Sequence, residues 1–430
     1  AVLADTAAAS RPRLRDALTH SETFKAAGLA AATLASNTIQ LAFTIVFTRI
    51  LGANGYGSLA ALISAFLILL VAGSAVQVAA ARETALGELG AGERLAGTIA
   101  AWGDRVLTAL VAVTAASVLL RHPLAQLIGV PEYPWAAAAI IPTGVIWMGV
   151  CLQRGILQGL RAYGAVGGSI IAEGLGRMVF GLALVGFAGV TGAYLGTPLA
   201  LAVISIWLAV DLRRRTGPPG DHHAPHSLAR LVRGNWGPVL GLTLLAVLQN
   251  IDVIIAKHQL DDDAAGSYAA AAVAAKAIVW VAIGIGLHLL PEATRRAASG
   301  LDPRPVLLRA LAIAGIIAAP ALLIFATVPH LLLRVAFGPD LTDASDALAV
   351  LGAAMTLLAI AYLTVQYMIA LGRHSFLWVL GVVAIIEPFL LTSSGSSIVS
   401  FAALVFGLQC VAASGVLALG LRARSVSRTA

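Results

Sequence analysis

Five charged side chains lie in stretches of the sequence that are otherwise apolar. Glu173 and Arg177 occur in AEGLGRM, Asp252 in QNIDVII and Lys276 in AAVAAKAI, and Glu387 directly precedes a proline. An ionised side chain at the centre of a lipid bilayer costs at least about 2.5–3.5 kcal/mol on insertion scales. If these stretches cross a membrane, the five side chains are candidates for binding an ion or a charged ligand.

Each of these charges also has a structural explanation. Glu173 and Arg177 are four residues apart, so they share a helix face and could form an internal ion pair. Asp252 and Lys276 lie on consecutive apolar stretches at different depths, which disfavours a direct bond but lets both line one cavity. Glu387 could bond to the backbone groups that the proline kink after it frees.

A second set of candidates is uncharged or lies near the ends of the apolar stretches. Gln40, Gln249 and Gln366 can line a polar cleft or join helices through hydrogen bonds. Arg154 and Arg49 can bind an anion, or extend to the nearest membrane surface. We predict a substrate site formed by Lys276, Arg177, Arg154, Arg49, Gln40, Gln249 and Gln366. The candidates for ion coupling are Asp252, Glu173 and Glu387.

The sequence carries no recognisable catalytic chemistry. It has no Walker phosphate-binding loop, no catalytic triad and no zinc motif. His222, His223 and His226 have a spacing that could suit a metal, but they lie in a loop rich in Pro and Gly, and we interpret them as solvated. We therefore predict no catalytic residue, no metal site and no cofactor, and a protein that is not an enzyme.

The apolar stretches have the length and number of membrane spans. The 430 residues are 59% hydrophobic and 11% charged, with a mean hydropathy of +0.90, whereas soluble chains carry about 25% charged residues. Hydropathy in windows of about 20 residues predicts twelve spans. They are 26–50, 58–81, 97–120, 135–158, 164–188, 193–212, 237–258, 264–290, 306–328, 346–371, 374–392 and 397–421. The predicted fold class is an all-α integral membrane protein.

The distribution of basic residues predicts the orientation of these spans. With the N-terminus inside, 22 of the 28 Lys and Arg residues lie at the inner side. We predict a multi-pass protein of the cytoplasmic membrane with both termini in the cytoplasm. This orientation accounts for most of the net charge of +7, so no nucleic-acid partner is implied.

One long polar interval divides the chain into two halves that repeat each other. Shifting the sequence by 209 residues pairs Gln40 with Gln249 and Gly57 with Gly266. The glycines of LGANGYG (51–57) predict a tight turn and then a close approach of the next helix to a neighbour. The predicted parts are an N-terminal cytoplasmic arm (1–20), two six-helix lobes (21–212 and 236–422), a cytoplasmic linker (213–235) and a cytoplasmic tail (423–430). Two parallel six-helix repeats of this kind flank a central cleft in transporters.

Four segments carry a resemblance to a known family. They are RILGANGYGSLAAL after the first span, NIDVIIAKHQLDDDAAGSYAAAAVAAK across the seventh and eighth, and LQGLRAYG (157–164) and IALGRHSF (369–376). In order and spacing the chain resembles the Wzx-type polysaccharide-biosynthesis flippases of the multidrug/oligosaccharidyl-lipid/polysaccharide exporter superfamily. The resemblance implies a V-shaped pair of six-helix bundles that moves a polyprenyl-diphosphate-linked oligosaccharide across the membrane by alternating access.

Three functions remain open at this point. An anionic lipid-linked oligosaccharide needs cationic groups in a polar cleft, and arginine suits phosphate best. A drug or metabolite antiporter of the same superfamily would instead use the acidic side chains. A membrane enzyme such as an oligosaccharide polymerase is disfavoured because the predicted outer loops are short. Besides the transported lipid, the expected partners are membrane lipids and a coupling proton or sodium ion, and we expect a monomer.

Overall fold

The structure is a computed structural model that describes residues 22–219, 226–228, 231, 236–395 and 397–423. The predicted N-terminal arm and most of the predicted tail lie outside these residues. The first half contains α1 (22–51), α2 (53–85), α3 (Glu93–Leu119), α4 (Arg121–Ile128), α5 (Pro134–Gly159), α6 (163–187) and α7 (190–216). The second half contains α8 (Trp236–Gln259), α9 (Asp262–Ala298), α10 (Arg304–Thr327), α11 (Pro329–Ala336), α12 (Ser345–Ala370), α13 (Phe376–Leu391) and α14 (Ile398–Arg422).

Twelve of these helices match the twelve predicted spans. Among the described residues, nine continuous helices are long and apolar enough to cross a membrane, and two of them each divide into two spans at a kink. The apolar helix Phe376–Leu391 is shorter and supplies the twelfth span. The eight-residue helices α4 and α11 have no counterpart among the predicted spans.

Gly52 and Gly57, both in the segment LGANGYG, have different structural roles. Gly52 has φ 66° and ψ −173°, so α1 ends and α2 begins there without an intervening loop. Gly57 lies inside α2, where an added Cβ would be 3.0 Å from the backbone nitrogen of Gly266 in α9. The tight turn and the close helix approach predicted from this segment are therefore both present.

The second half repeats the first, helix for helix. The order α8 to α14 follows that of α1 to α7, and the short α11 occupies the position of α4. His122 in α4 corresponds to His330 in α11, and both short helices are followed closely by glycines with positive φ, Gly129 and Gly338. These pairs are 208 and 209 residues apart in the sequence. Their spacing agrees with the shift of 209 predicted from the sequence.

The two halves pack as two lobes that meet through the first two helices of each. Helices α1 and α2 contact α5, α6 and α7 in their own lobe and also α8 and α9 of the other lobe. Ala53, Tyr56 and Ala60, from the start of α2, belong to the same buried apolar cluster as the core of the second lobe. The start of α2 is therefore held by both lobes.

The lobes are joined at one end of the molecule, which we call the α4 face because it carries α4, α11 and the α1–α2 turn. At this face Arg49 Nη2 donates to the Val335 carbonyl oxygen at 3.0 Å. His258 Nε2 lies 3.0 Å from the carbonyl oxygen of Leu127. The opposite end, which carries the connection between the halves, is called the linker face. The hydrogen bonds that Arg49, Lys257 and His258 form between the two halves lie at the α4 face.

The connection between the halves contacts the first lobe at the linker face. Trp102 Nε1 in α3 donates to the carbonyl oxygen of His226 at 2.8 Å, and His226 Nδ1 lies 3.6 Å from Glu83 Oε2. The interpretation of His226 as a solvated loop residue is therefore wrong, because its ring is largely buried against α2 and α3. His222 and His223 lie outside the described residues.

The contact between Gly57 and Gly266 predicts a test of the closed α4 face. A Cβ added at Gly266 would lie 1.9 Å from the carbonyl oxygen of Ala53, so Gly266→Ala must separate α2 from α9, at a cost of about 1–3 kcal/mol. We expect a lower melting temperature in detergent. A cysteine placed at the buried Ser58 should also react faster with a maleimide.

The matched control is Gly284→Ala in the same helix, where an added Cβ has no atom within 4 Å. Replacing a helical glycine by alanine should leave the melting temperature unchanged or raise it. Equal melting temperatures and equal Ser58→Cys labelling in the two variants would contradict the close crossing of α2 and α9.

Candidate functional site

In the first lobe, an ion pair joins α5 to α6. Arg154 Nη2 lies 2.9 Å from Glu173 Oε2, and Arg154 Nε donates to Ser169 Oγ at 2.8 Å. The guanidinium also lies 5.4 Å from the centre of the Trp147 ring. The Arg154 side chain is only 3% exposed, so the interpretation that it extends to the membrane surface is wrong. Its charge is neutralised within the lobe, which indicates a structural role.

Arg177 is not the ion-pair partner of Glu173, although the two residues share a helix face. Its Nη1 instead donates to Gln40 Oε1 in α1 at 3.0 Å, and its guanidinium carbon lies 5.6 Å from the centre of the Phe43 ring. Arg177 is 5% exposed, and its Nε and Nη2 are buried without a hydrogen-bond partner. The first lobe therefore contains a buried cation with two unused donor nitrogens.

The second lobe contains two buried carboxylates, on α8 and α13. Asp252 Oδ2 accepts a hydrogen bond from the Tyr268 hydroxyl at 2.8 Å, whereas its Oδ1 has no partner. Glu387 is fully buried and neither of its carboxylate oxygens has a partner, so it does not bond to the backbone groups near Pro388. Helices α8 and α13, which carry the two carboxylates, pack against each other. Three buried acceptor atoms are thus available to a proton or a metal cation.

Lys276 lies in the same lobe but bonds elsewhere. Its Nζ donates to Asn250 Oδ1 at 3.2 Å, and Asn250 Nδ2 donates to the Ala246 carbonyl oxygen at 2.9 Å. Lys276 and Asp252 have no direct bond, in agreement with their different predicted depths. Lys276 is therefore a buried cation with a neutral hydrogen-bond partner.

Arg177 and Glu387 occupy equivalent positions in the two lobes and carry opposite charges. Helices α1 and α6 hold Gln40 and Arg177, and the equivalent α8 and α13 hold Asp252 and Glu387. Arg177 and Glu387 are 210 residues apart, close to the repeat shift of 209. The same position in the two lobes can thus attract an anion in the first lobe and a cation in the second.

The remaining predicted residues do not join these two clusters. Arg49 bonds to the other lobe at the α4 face. Gln366 Nε2 donates to the Tyr362 hydroxyl on its own helix at 2.7 Å, and Gln249 is partly exposed on α8. The predicted set therefore separates into an arginine site, a carboxylate site, a structural ion pair and residues at other positions.

Tyr268 and Ser169, which bond to Asp252 and Arg154, are not among the residues predicted from the sequence. Asp252 and Tyr268 are each eight residues from Leu260, at the turn between the antiparallel helices α8 and α9. Equal numbers of residues from a turn place two side chains at the same depth. This spacing is a signal that could have identified Tyr268. No comparable signal exists for Ser169, because its contact depends on how α5 packs against α6.

Comparison with known proteins yields one family and a set of similar structures. The model of a family described as polysaccharide biosynthesis protein matches residues 25–292. Among curated protein sequences, none matches the chain significantly.

Several solved structures share the fold. An inward-facing multidrug resistance MATE family transporter of the MOP superfamily has a TM-score of 0.71 and 15% identity, covering 90% of this chain and 94% of that one. The lipid II flippase MurJ in an inward closed conformation has a TM-score of 0.73 and 11% identity, covering 91% and 87%. An outward-facing MATE transporter scores lower, at 0.61, with 16% identity and coverage of 94% and 96%. The predicted all-α membrane fold, with two parallel six-helix repeats around a central cleft, is confirmed.

The Arg154–Glu173 pair predicts a double-mutant test of its structural role. Removing one partner of a buried ion pair leaves an uncompensated charge and costs about 3–5 kcal/mol. We expect Glu173→Gln to lower the melting temperature strongly, and Arg154→Met combined with Glu173→Leu to recover most of the loss. Arg215→Met is the control, since it disrupts a pair with Asp211 in which the arginine is 44% exposed. Such a pair contributes about 0–1 kcal/mol. Equal effects of Glu173→Gln and Arg215→Met would contradict a structural ion pair.

Proposed function

We propose that this chain, which belongs to the family of polysaccharide biosynthesis proteins, moves a polyprenyl-diphosphate-linked oligosaccharide across the cytoplasmic membrane by alternating access. The observation that carries the proposal is the buried guanidinium of Arg177, with two donor nitrogens that have no partner. The similar structures support membrane transport by this fold, and the charge of the site supports an anionic substrate.

The geometry of Arg177 suits a phosphate group. Nε and Nη2 lie along one edge of the planar guanidinium, and this edge can donate two parallel hydrogen bonds to two oxygens of one phosphate. Nη1 already bonds to Gln40 at 3.0 Å, which fixes the plane of the guanidinium. A buried charge with unused donors is costly unless a counter-ion fills the site. The diphosphate of the carrier lipid supplies such a counter-ion.

The proposed substrate site includes a second cation and neutral amides. Lys276 is buried and has only the neutral Asn250 as its partner, so it can attract a second phosphate. Gln40, Gln249 and Gln366 are partly exposed and can bond to sugar hydroxyls. Arg154 and Arg49 are left out of this site, because Arg154 is neutralised by Glu173 and Arg49 joins the two lobes.

The carboxylate site in the second lobe is proposed to bind the coupling ion, a proton or sodium. Asp252 Oδ1 and both oxygens of Glu387 are buried acceptors without partners, and a buried carboxylate is costly unless a proton or a cation neutralises it. The same observation favours the second candidate function, a cation-coupled drug or metabolite antiporter. The buried cation in the first lobe, Arg177, favours the lipid substrate instead.

The proposed orientation places the linker face in the cytoplasm. It follows from the concentration of basic residues on that side, with both termini and the 213–235 linker cytoplasmic. The chain is proposed to act as a monomer of two lobes, 21–212 and 236–422, with no cofactor.

Transport in proteoliposomes tests the role of Arg177. The probe is a fluorescent undecaprenyl-diphosphate-linked disaccharide, and dithionite bleaching reports the fraction in the outer leaflet. Arg177→Gln should lower the initial flipping rate by about tenfold or more, as expected for the loss of charge-assisted hydrogen bonds of about 1.5–3 kcal/mol. Arg177→Lys should recover part of the rate because it restores the charge without the paired donors.

The control for this experiment is Arg215→Gln, which removes a surface arginine on α7 and should flip at the normal rate. Flipping by Arg177→Gln at the rate of the control would contradict the phosphate site. A second result would then support the antiporter instead of the flippase: export of ethidium by the unchanged protein, and no export by the Asp252→Asn variant.

The coupling site predicts a loss of gradient dependence. Asp252→Asn and Glu387→Gln keep the shape of each side chain but remove its charge. We expect flipping by either variant to be insensitive to sodium or proton gradients, whereas the unchanged protein responds to one of the two. Glu88→Gln, at an exposed loop position, is the control and should retain the response. A full gradient response in Asp252→Asn would contradict the assignment.

A further inference from the structure

A groove with a volume of about 670 Å³ runs along the surface of the first lobe, between α3 and α7 and over α5. Its walls are mainly apolar and include Ile99, Leu107, Leu110, Ile146 and Ile206. Neither Arg177 nor Gln40 lines it, so it is separate from the proposed substrate site. Nothing in the proposed transport mechanism uses this groove.

The groove exists because α3 packs on α5 but only slightly on α7. Gly103 on α3 and Gly149 on α5 line the gap and contribute no side chain to fill it. The apolar side of α3 beside the groove is strongly exposed, with Leu107 at 60% and Val111 at 64%. Within a membrane this side meets lipid, and an apolar gap that opens to lipid is filled by a hydrocarbon chain.

Two unpaired opposite charges line the part of the groove nearer the linker face. Arg213 on α7 has no carboxylate within ion-pair distance among the described residues, unlike its neighbour Arg215, which pairs with Asp211 at 2.8 Å. Asp104 on α3 is exposed and is likewise without an ion-pair partner in the described chain. Side chains tilt towards the N-terminus of their helix. Helix α3 begins at the linker face and α7 ends there, and Asp104 lies farther from this face than Arg213 does. Asp104 therefore tilts towards the linker face and Arg213 tilts away from it, so the two side chains approach each other along the groove.

A third polar group faces the same region. Gln153 on α5 lines the groove and donates its amide to the Ser205 carbonyl oxygen at 3.0 Å. Its Oε1 is buried and has no hydrogen-bond partner. The groove therefore offers one cationic group and two acceptors, a carboxylate and an amide oxygen, beside an apolar channel.

We propose that this groove binds one phosphatidylethanolamine molecule, with an acyl chain along α5, the phosphate on Arg213 and the ammonium on Asp104 and Gln153 Oε1. A primary ammonium has three N–H donors, enough to bond to both acceptors, and the phosphate neutralises the arginine. A quaternary choline head group has no N–H donor, and phosphatidylglycerol has no cation for Asp104. The lipid holds α3 against α7, where protein contacts are few.

Native mass spectrometry of the delipidated protein, titrated separately with three synthetic lipids of identical acyl chains, tests the proposal. Phosphatidylethanolamine should bind about tenfold more tightly than phosphatidylcholine or phosphatidylglycerol, as expected for charge-assisted hydrogen bonds. Arg213→Gln and Asp104→Asn should each remove this preference. Arg214→Gln and Glu93→Gln, at exposed positions that do not line the groove, should retain it.

A second pair of variants tests the position of the acyl chain. Ala209→Trp should fill the groove and abolish tight binding, whereas Val210→Trp, at the adjacent exposed position outside the groove, should not. Melting temperatures without lipid show whether each variant is folded. Equal binding of the three lipids, or equal binding by the two tryptophan variants, would overturn the proposal. Tighter binding of undecaprenyl phosphate than of phosphatidylethanolamine would also overturn it.

Discussion

A charged side chain within a membrane-spanning helix must be neutralised. A charge that is paired inside the protein has a structural role, whereas a charge without a partner is a candidate for binding a ligand. Arg154 is neutralised by Glu173 and hydrogen-bonded to Ser169 inside the first lobe, so it stabilises the packing of α5 on α6. Arg177, Asp252 and Glu387 are equally buried but keep polar atoms without partners. Burying such atoms without partners costs free energy. A bound ligand that bonds to them would remove this cost and explain why they are present.

The internal repeat gives these incomplete sites their arrangement. Arg177 in α6 and Glu387 in α13 occupy equivalent positions of the repeat, so the duplicated position has diverged in charge. Gly57 and Gly266, which correspond in the repeat, also contact each other directly at the α4 face. In the proposed transport cycle, the two lobes rock about this crossing and move both sites together, as alternating access between repeats requires. An anionic head group and a coupling cation could thus share one conformational change.

The spans, the repeat and the turn at Gly52 can be predicted from the sequence. Each depends on local features: the hydropathy of one stretch, the pairing of residues 209 apart, and a glycine where the backbone turns. It does not specify which charges meet. Glu173 lies one helical turn from Arg177, yet it pairs with Arg154, nineteen residues away in the sequence. That choice depends on the packing of α5 against α6. Helices α4 and α11 are likewise absent from the hydropathy pattern, since eight residues are too few to register as a span.

Arg177 is proposed to hold the phosphate of an anionic lipid substrate. A cryo-electron microscopy structure of the protein in lipid nanodiscs with farnesyl diphosphate, a short soluble analogue of the carrier, tests this most directly. We expect phosphate density within hydrogen-bonding distance of Arg177 Nε and Nη2, with the Gln40 contact retained. Phosphate density bound elsewhere in the cleft, with the Arg177 guanidinium unoccupied or turned to pair with Glu173, would contradict it.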